Sequence, residues 1–229
     1  MNKSPVRVLL IGAAGRMGKT VFDLAQNDRE IEIVARCHLG DPIEPAMKNC
    51  DVAIDFSHAN AIDEICHAAL QHAKSLVIGT TGYSQQQRRI IEETTQSVPI
   101  VFASNFSVGV NVLFSLTRKA VKLLGSDFNA EIVETHHKMK KDAPSGTAKT
   151  LAGILKAGRK SESEIPIQSI REGDVVGEHS VIFSGPAERL ELTHRAASRE
   201  IFARGALRAA KWIMHKPPGL YSMQDALGL

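Results

Sequence analysis

The sequence predicts an α/β fold with a doubly wound parallel sheet and a second, α+β domain. A short apolar run at residues 6–11 leads into a glycine-rich turn and then a helical pattern, as in nucleotide-binding βαβ units. Strand-like and helix-like segments alternate from there to residue 106, which is typical of a parallel sheet. Strands dominate after residue 124, and their alternating polar and apolar residues indicate a largely antiparallel or mixed sheet.

The glycines after the first strand indicate a dinucleotide site. Gly12 permits a tight turn, Gly15 lets a pyrophosphate approach the backbone, and Gly18 lets the helix pack closely on the strand. This arrangement is typical of a Rossmann-type sheet. The spacing G-x-x-G-x-x-G differs from the commoner G-x-G-x-x-G, so a plain strand–turn–helix stays open as the alternative.

The rest of the first half continues the same rhythm. Strands are predicted at residues 31–35, 51–56, 76–78 and 99–103, and helices at 59–73 and 85–96. Loops at residues 55–57, 79–82 and 103–106 follow strand ends, where ligands bind in such sheets. Any one of them is more often a simple turn. Because all three contain small or hydroxyl-bearing residues, together they predict a cofactor cleft.

The position that contacts the ribose departs from the common pattern. An acidic residue usually lies ~20 residues beyond the glycines and binds the ribose hydroxyls, whereas an arginine suits a 2′-phosphate. Here the second strand ends with Arg36 and His38 nearby, and the first acid after them is Asp41. This favours NADPH. The alternative is that both side chains simply face solvent.

The second half contains a long apolar helix at residues 108–124 and a closing amphipathic helix at 199–214. Strands are predicted at residues 130–135, 167–171, 178–184 and 189–195. We expect the closing helix to return to the first domain. The predicted domains are therefore a dinucleotide-binding domain, residues 1–106 and 204–229, and a second domain, residues 107–203.

Composition argues against several classes of protein. A net charge of +3 on 229 residues, with few aromatic residues, argues against nucleic-acid binding. No stretch approaches the ~20 apolar residues that span a bilayer. Three cysteines without metal-ligand spacing favour a reducing cytoplasm, with each cysteine a small buried apolar residue. We therefore expect a cytoplasmic protein with no nucleic-acid or membrane partner.

The most informative segment, residues 134–147, has the sequence ETHHKMKKDAPSGT. His136 and His137 can exchange protons near neutral pH, and the lysines supply positive charge. The Ser-Gly-Thr sequence begins a helix, whose free N–H groups and dipole attract anions. A solvated basic surface is the alternative, but apolar residues at helical spacing follow from Ala148 onward. The segment therefore predicts proton transfer to a small, multiply charged acid.

These residues resemble those of the 4-hydroxy-tetrahydrodipicolinate reductases, also called the dihydrodipicolinate reductase family. The family signature matches from Glu134 to Ala148, with one residue fewer before the histidines, and it is much more specific than a dinucleotide fingerprint. Further family-like segments lie at residues 79–81, 104–109, 176–179 and 194–196. The resemblance covers nearly the whole sequence.

The resemblance implies NADPH- or NADH-dependent reduction of 4-hydroxy-tetrahydrodipicolinate to tetrahydrodipicolinate with loss of water, in diaminopimelate and lysine biosynthesis. It implies His136 as the catalytic acid assisted by Lys140, and substrate binding by His137, Gly146 and Thr147. With the ribose-side Arg36 and His38, the implied cofactor contacts are Gly12, Ala13, Ala14, Gly15, Arg16, Met17, Gly79, Thr80, Thr81, Ala103, Ser104, Asn105 and Phe106. The implied partners are a small dicarboxylate and three further copies, in a homotetramer built through the second domain. No metal ligand is implied.

Two alternatives use the same scaffold. A non-catalytic NAD(P)-sensing protein would not need His136 or Lys140, and both are present. A dehydrogenase acting on homoserine or diaminopimelate would not require His-His-x-x-Lys followed by Pro-Ser-Gly-Thr, so the site separates these functions where the fold does not. The chain departs from the family in a short segment at 39–50, with His38 in place of an acidic ribose contact, and in Lys141, which has no evident role.

Overall fold

The computed structural model describes residues 4–159 and 163–229. The chain forms two compact units, which divide after Ser107 and after Arg199, whereas the sequence predicts boundaries after residues 106 and 203. The first unit contains the described residues up to Ser107 together with Glu200–Leu229, and the second contains those of Val108–Arg199. Which ligand each unit binds stays a prediction. Within the described residues, every helix is too short or too polar to cross a membrane.

The elements of the described residues follow in chain order. The strands are β1 (Val6–Ile11), β2 (Ile31–Cys37), β3 (Val52–Asp55), β4 (Ser75–Ile78), β5 (Pro99–Phe102), β6 (Asn129–His136), β7 (Ile167–Arg171), β8 (Gly177–Ser184), β9 (Arg189–Ala196) and β10 (Gly219–Tyr221). The α-helices are α1 (Arg16–Ala25), α2 (Ile43–Met47), α3 (Ile62–His72), α4 (Gln85–Thr94), α5 (Val108–Leu124), α6 (Gly146–Arg159), α7 (Glu200–Ile213) and α8 (Met223–Leu227).

The first unit contains one parallel sheet with strand order β10-β5-β4-β3-β1-β2. Successive residues of β1 alternate between its faces, so Val8 and Leu10 pack on one side and Leu9 and Ile11 on the other. Helices α1, α7 and α8 contribute to the first apolar cluster, and α2, α3 and α4 to the second. This is the predicted doubly wound, Rossmann-type architecture, and α7 returns to it as expected.

Three short elements of the first unit are not predicted from the sequence. Strand β10 has three residues, yet it pairs with β5 and adds the sixth strand, and α8 follows it. Helix α2 lies in the short segment after β2, where Glu44 Oε1 and His72 Nε2, 2.6 Å apart, tie it to α3. Elements of three to five residues are too short to show a hydrophobic period.

The second unit contains a mixed sheet with strand order β7-β6-β8-β9. Strand β6 runs parallel to β7 and antiparallel to β8, and β8 and β9 are antiparallel. Helices α5 and α6 pack on one face around an apolar cluster that includes Phe114, Leu151, Leu155, Val181 and Phe183. The mixed sheet confirms the predicted class of this domain.

The helix-covered face of this sheet also carries a row of polar residues. Ser169, Glu134, His179 and His194 lie directly opposite one another on β7, β6, β8 and β9, so their side chains share one face. Glu134 is 0% exposed and His179 is 4% exposed. Buried polar groups beside an apolar core need hydrogen-bond partners, and these partners define the candidate site.

Candidate active site

The predicted catalytic histidine, His136, is the last residue of β6 and contacts a buried carboxylate. His136 Nδ1 and Glu134 Oε2 form a short hydrogen bond between side chains that are 10% and 0% exposed. The two residues lie on the same face because side chains alternate along a strand. With Nδ1 engaged by the carboxylate, Nε2 is the ring nitrogen that remains for a substrate.

Arg171 lies opposite His136 on β7 and binds the same carboxylate. Its Nη2 donates to Glu134 Oε1 at 2.9 Å and to the backbone oxygen of Asp142 at 2.6 Å. Burial would raise the pKa of the Glu134 carboxyl, but hydrogen bonds from Arg171, Ser169 and His136 outweigh burial and lower it. Glu134 is therefore an anion at neutral pH.

A second buried histidine, His179, packs edge to face on His136, with ring centroids 5.0 Å apart. His179 Nε2 lies 3.1 Å from Ser145 Oγ, which also accepts the N–H of Ala148 and so caps α6. The N–H of Ser145 donates to Glu134 Oε1 at 3.4 Å. Burial lowers the pKa of His179 to about 4, and His136 adds to the effect, so His179 is neutral at pH 7.

Lys140 lies in the loop that joins β6 to α6, and Asp142 binds its ammonium group. Lys140 Nζ donates to Asp142 Oδ1 at 2.8 Å, and this hydrogen bond lowers the pKa of the Asp142 carboxyl. Because Arg171 also binds the backbone oxygen of Asp142, contacts connect the two predicted catalytic side chains. The connected residues, in order, are His136, Glu134, Arg171, Asp142 and Lys140.

The predicted substrate-binding residues lie at the end of β6 and the start of α6. Gly146 is the first residue of α6; it is exposed, and a Cβ added there would meet no atom within 4 Å. Thr147 follows and is half-buried. His137 is also half-buried, and Arg199 Nη2 lies 3.5 Å from its Nε2. Arg199 was not predicted from the sequence, because it lies far from the signature and has no motif of its own.

Glu134, His136 and His179 bring possible metal-ligand atoms within 4.8 Å of one another. Both carboxylate oxygens of Glu134 are already engaged, one by His136 and the other by Arg171. A guanidinium in contact with the carboxylate also repels a divalent cation. A hydrogen-bonded network therefore explains this cluster, and we assign no metal ligand to it.

The environment of His136 holds its ring neutral at rest. Burial lowers its pKa, the hydrogen bond and charge of Glu134 raise it, and the charges of Lys140 and Arg171 lower it, with a net shift below the ordinary value. The protonated ring is thus a stronger acid than an exposed imidazolium. A negatively charged ligand beside the ring would raise this pKa and favour protonation.

In the first unit, the turn after β1 has the geometry that its glycines predict. Gly12 has a φ of +79°, and the N–H groups of Gly12 and Ala13 donate to the backbone oxygen of Cys37 at 3.0 and 3.2 Å. A Cβ at Gly18 would lie 2.7 Å from Ala13 Cα, so α1 can pack this closely only with glycine. A Cβ at Gly15 would meet only Gly12 O, at 3.3 Å. This contact is less severe than those at Gly18, so the fold depends less on glycine at position 15. Gly15 is also exposed, which fits the approach of a pyrophosphate.

Phe56 connects three of the predicted cofactor loops. Its ring packs edge to face on Phe106, with centroids 6.0 Å apart, and it fills the space that a side chain at Gly79 would need. Asp55, which precedes it and is 1% exposed, accepts a hydrogen bond from Tyr83 Oη at 3.3 Å. The predicted cofactor residues therefore lie at the carboxyl ends of β1, β2, β4 and β5, in the loops that follow, or, for Arg16 and Met17, in the first turn of α1.

The two predicted ribose-side residues make different contacts. The exposed guanidinium of Arg36 stacks on the ring of Phe22, with its Cζ 4.5 Å from the centroid. The N–H of His38 donates to Asp41 Oδ2 at 2.8 Å, which closes a turn. Stacking therefore fixes Arg36 near the end of β2, while Asp41, the first acid after it, is engaged in the turn.

Comparison with known proteins places both units in one family. Residues 6–106 match the N-terminal part of dihydrodipicolinate reductase, and residues 109–227 match its C-terminal part. The chain belongs to the dihydrodipicolinate reductase family. This confirms the resemblance drawn from the signature at residues 134–148.

Individual relatives match over nearly their full length. The 4-hydroxy-tetrahydrodipicolinate reductase of Akkermansia muciniphila is 45% identical over 242 residues, which cover 98% of each protein. That of Aquifex aeolicus is 42% identical over 264 residues, which cover 98% of this chain and 99% of the relative. The dipicolinate-bound dihydrodipicolinate reductase from Paenisporosarcina sp. TG-14 has a TM-score of 0.82 at 22% identity, and the match covers 96% of this chain and 98% of that one. This structural match supports the fold.

The first unit fits NADH or NADPH, the cofactors of this family. Gly12 has a positive φ, and Gly15 is exposed and has no side chain, so a pyrophosphate can approach the start of α1, where the helix dipole favours negative charge. Small residues follow β4 and β5 at the same edge of the sheet. The bound cofactor supplies the hydride for the reduction.

Alanine at Gly15 and at Gly18 should separate cofactor binding from folding. Gly15→Ala should lower the unfolding midpoint less than Gly18→Ala does, because its added Cβ makes the milder contact. It should raise the KM for NAD(P)H by about tenfold, because its methyl group would crowd the pyrophosphate at a cost of roughly 1–3 kcal/mol. Gly18→Ala should lower the free energy of unfolding by about 1–3 kcal/mol. Steady-state kinetics and thermal unfolding measure the two effects.

The matched control is Gly153→Ala in α6, where an added Cβ would meet no atom within 4 Å. This change should leave the KM for the cofactor unaltered and should not lower the stability, because alanine favours a helix more than glycine does. An equal loss of stability in the Gly15 and Gly18 variants would contradict the assignment of Gly15 to cofactor binding and of Gly18 to helix packing.

Proposed function

We propose that this chain reduces 4-hydroxy-tetrahydrodipicolinate to tetrahydrodipicolinate with NAD(P)H and loss of water, in diaminopimelate and lysine biosynthesis. The observation that carries the proposal is the buried Glu134–His136 pair beside the Lys140 loop, in a chain whose two units both match the family. The non-catalytic NAD(P)-sensing alternative has no support in the comparisons.

The reduction requires one proton besides the hydride, and we assign its delivery to His136. Its Nδ1 is engaged by Glu134, so when the ring is protonated the transferable proton is held on Nε2. The ammonium of Lys140 and the N–H groups at the start of α6, near Gly146 and Thr147, bind the carboxylates of the substrate. The contribution of these residues is orientation and positive charge.

A small dicarboxylate is the substrate class that this arrangement suits. Arg199 lies 3.5 Å from His137, and Lys140 is in the loop that precedes the start of α6. These positive groups, together with the free N–H groups of the helix start, would complement two negative charges. A solved relative binds dipicolinate, which carries two carboxylates on one ring. We therefore expect dipicolinate to compete with the substrate.

The first experiment follows the absorbance of NADPH and, separately, of NADH at about 340 nm. The substrate is made in situ by dihydrodipicolinate synthase from pyruvate and aspartate semialdehyde. A fall in absorbance that requires the synthase supports the reductase. Binding of both cofactors without consumption of either would overturn the proposed activity and favour the sensing protein.

Single substitutions should separate the proton donor from the substrate-binding residues. His136→Ala should lower kcat by about 10²–10⁴-fold with a smaller change in KM, because it removes general acid catalysis. Thr147→Ala should mainly raise the KM for the substrate. Both values come from initial rates at several substrate concentrations. The reverse pattern would contradict the assigned roles.

We propose NADPH as the preferred cofactor, with Arg36 as the residue that binds the 2′-phosphate. Arg36→Gln should lower the ratio of kcat/KM for NADPH to that for NADH by about tenfold or more, because a charge-assisted hydrogen bond contributes roughly 1.5–3 kcal/mol. Arg29→Gln, an exposed arginine in the turn before β2, makes the same charge change and should leave the ratio unaltered. A ratio unaffected by the Arg36 change would exclude this role.

We also propose a cytoplasmic homotetramer that assembles through the sheet of the second unit. Helices α5 and α6 pack on one face of that sheet, and the other face carries exposed residues such as Glu131, Thr193 and Arg195. Sheet faces and edges of this kind are common sites of subunit contact. The three cysteines are free and buried, as in proteins of a reducing compartment. Light scattering of the protein in solution gives the number of subunits.

A further inference from the structure

We propose that Glu134 and Arg171 form a positioning pair that fixes the tautomer of His136 and so determines which ring nitrogen delivers the proton. The inference rests on the proposed function of His136 as the catalytic acid. It assigns a role to Glu134, which the signature contains without a role, and to Arg171, which the sequence does not single out. Their side chains are 0% and 20% exposed, and they act through His136.

The hydrogen bond between His136 and Glu134 determines where the ring carries its proton. A neutral imidazole has one N–H group, and an ionised carboxylate can only accept. Since Glu134 Oε2 bonds to Nδ1, the hydrogen of the neutral ring lies on Nδ1 and the lone pair on Nε2. When the ring is protonated, the added proton lies on Nε2 and is the one available for transfer.

Arg171 ensures that Glu134 stays an acceptor. A protonated Glu134 could donate to Nδ1 and would then allow the opposite tautomer. The guanidinium of Arg171, 2.9 Å from Oε1, holds the carboxyl in its ionised form. The same guanidinium group donates to the backbone oxygen of Asp142 at 2.6 Å. Arg171 therefore positions the ring and the Lys140 loop together.

Gly177 provides an independent indication that Nε2 is the working nitrogen. Gly177 is buried at the start of β8, and a Cβ added there would lie 3.1 Å from His136 Nε2 and 3.4 Å from Cδ2. Such a contact is tighter than ordinary packing, so the absence of a side chain keeps the Nε2 edge of the ring uncrowded. The Nδ1 edge, by contrast, is occupied by Glu134.

Nitrogen-15 NMR of histidine-labelled free protein tests the tautomer directly. The spectrum contains nine histidines, and the signal of His136 is the one that His136→Ala removes. We expect the wild-type ring at pH 8 to carry its hydrogen on Nδ1, and Glu134→Gln to give a mixture of tautomers. A wild-type ring with its hydrogen on Nε2 overturns the proposal, and this result requires no variant of Glu134 or Arg171 to fold.

The kinetic test asks whether Glu134 acts through His136. Glu134→Gln should lower kcat by roughly ten- to a hundredfold, within what general acid catalysis contributes, with little change in the KM for the substrate. In the His136→Ala background the same change should have no further effect, because residues that act as a unit are not additive. Additive losses in the double variant would show that Glu134 acts independently and would overturn the proposal.

The pH profile gives a readout that a purely structural role would not change. Activity that needs a protonated His136 declines as pH rises through the pKa of that ring. Glu134 raises this pKa, so Glu134→Gln should shift the decline to lower pH. Glu188→Gln changes an exposed glutamate between β8 and β9 and should leave the profile in place. An unshifted profile for Glu134→Gln would count against the pair.

Two substitutions of Arg171 test whether its charge is needed. Arg171→Lys should retain more of the wild-type pH profile than Arg171→Gln, because it keeps the positive charge beside Glu134. Equal profiles for the two variants would remove Arg171 from the pair. If His136→Ala keeps full activity, the proposed function of His136 fails, while the NMR result still decides whether Glu134 fixes the tautomer.

Discussion

The buried negative charge of Glu134 is the constraint on which the second unit depends. An unpaired buried carboxylate costs several kcal/mol, and removing one partner of a buried pair typically costs about 3–5 kcal/mol. Glu134 receives hydrogen bonds from three elements: from Arg171 on β7, from the N–H of Ser145 before α6, and from His136 on its own strand. The charge therefore holds the sheet, the helix start and the proton donor in one arrangement.

The topology of the second unit explains why the functional loop lies where it does. Strands β6 and β7 are parallel and are joined through α6, so this part of the mixed sheet is itself a βαβ unit. Ligands bind at the carboxyl ends of parallel strands, where the helix that follows begins. The same rule that places the turn at Gly12 in the first unit thus places His136 and Lys140 in the second.

Local sequence was sufficient for the parts of the site that are contiguous. The turn at Gly12 and the segment from His136 to Thr147 were predictable because each groups its chemistry within a few residues. Arg171 was not predictable, because it contacts Glu134 from the neighbouring strand and lies 37 residues away along the chain. One feature of the sequence could have indicated His179. It occupies an inward position on the alternating strand β8, where an apolar residue is expected. Strand β10 was missed because three residues show no period.

The discontinuity of the first unit has a consequence for how the protein is made. Residues of α7 and α8, such as Ala206, Ile213 and Met223, complete the apolar cluster that buries Val8 and Leu10 of β1. Synthesis proceeds from the N-terminus at roughly 5–20 residues per second, so the entire second unit emerges from the ribosome before these helices exist. During that interval α1 alone of the three helices is available to cover this face of the nascent parallel sheet, and the rest of the face is open to aggregation. Ribosome-associated chaperones are therefore expected to bind that face until the last helices are released.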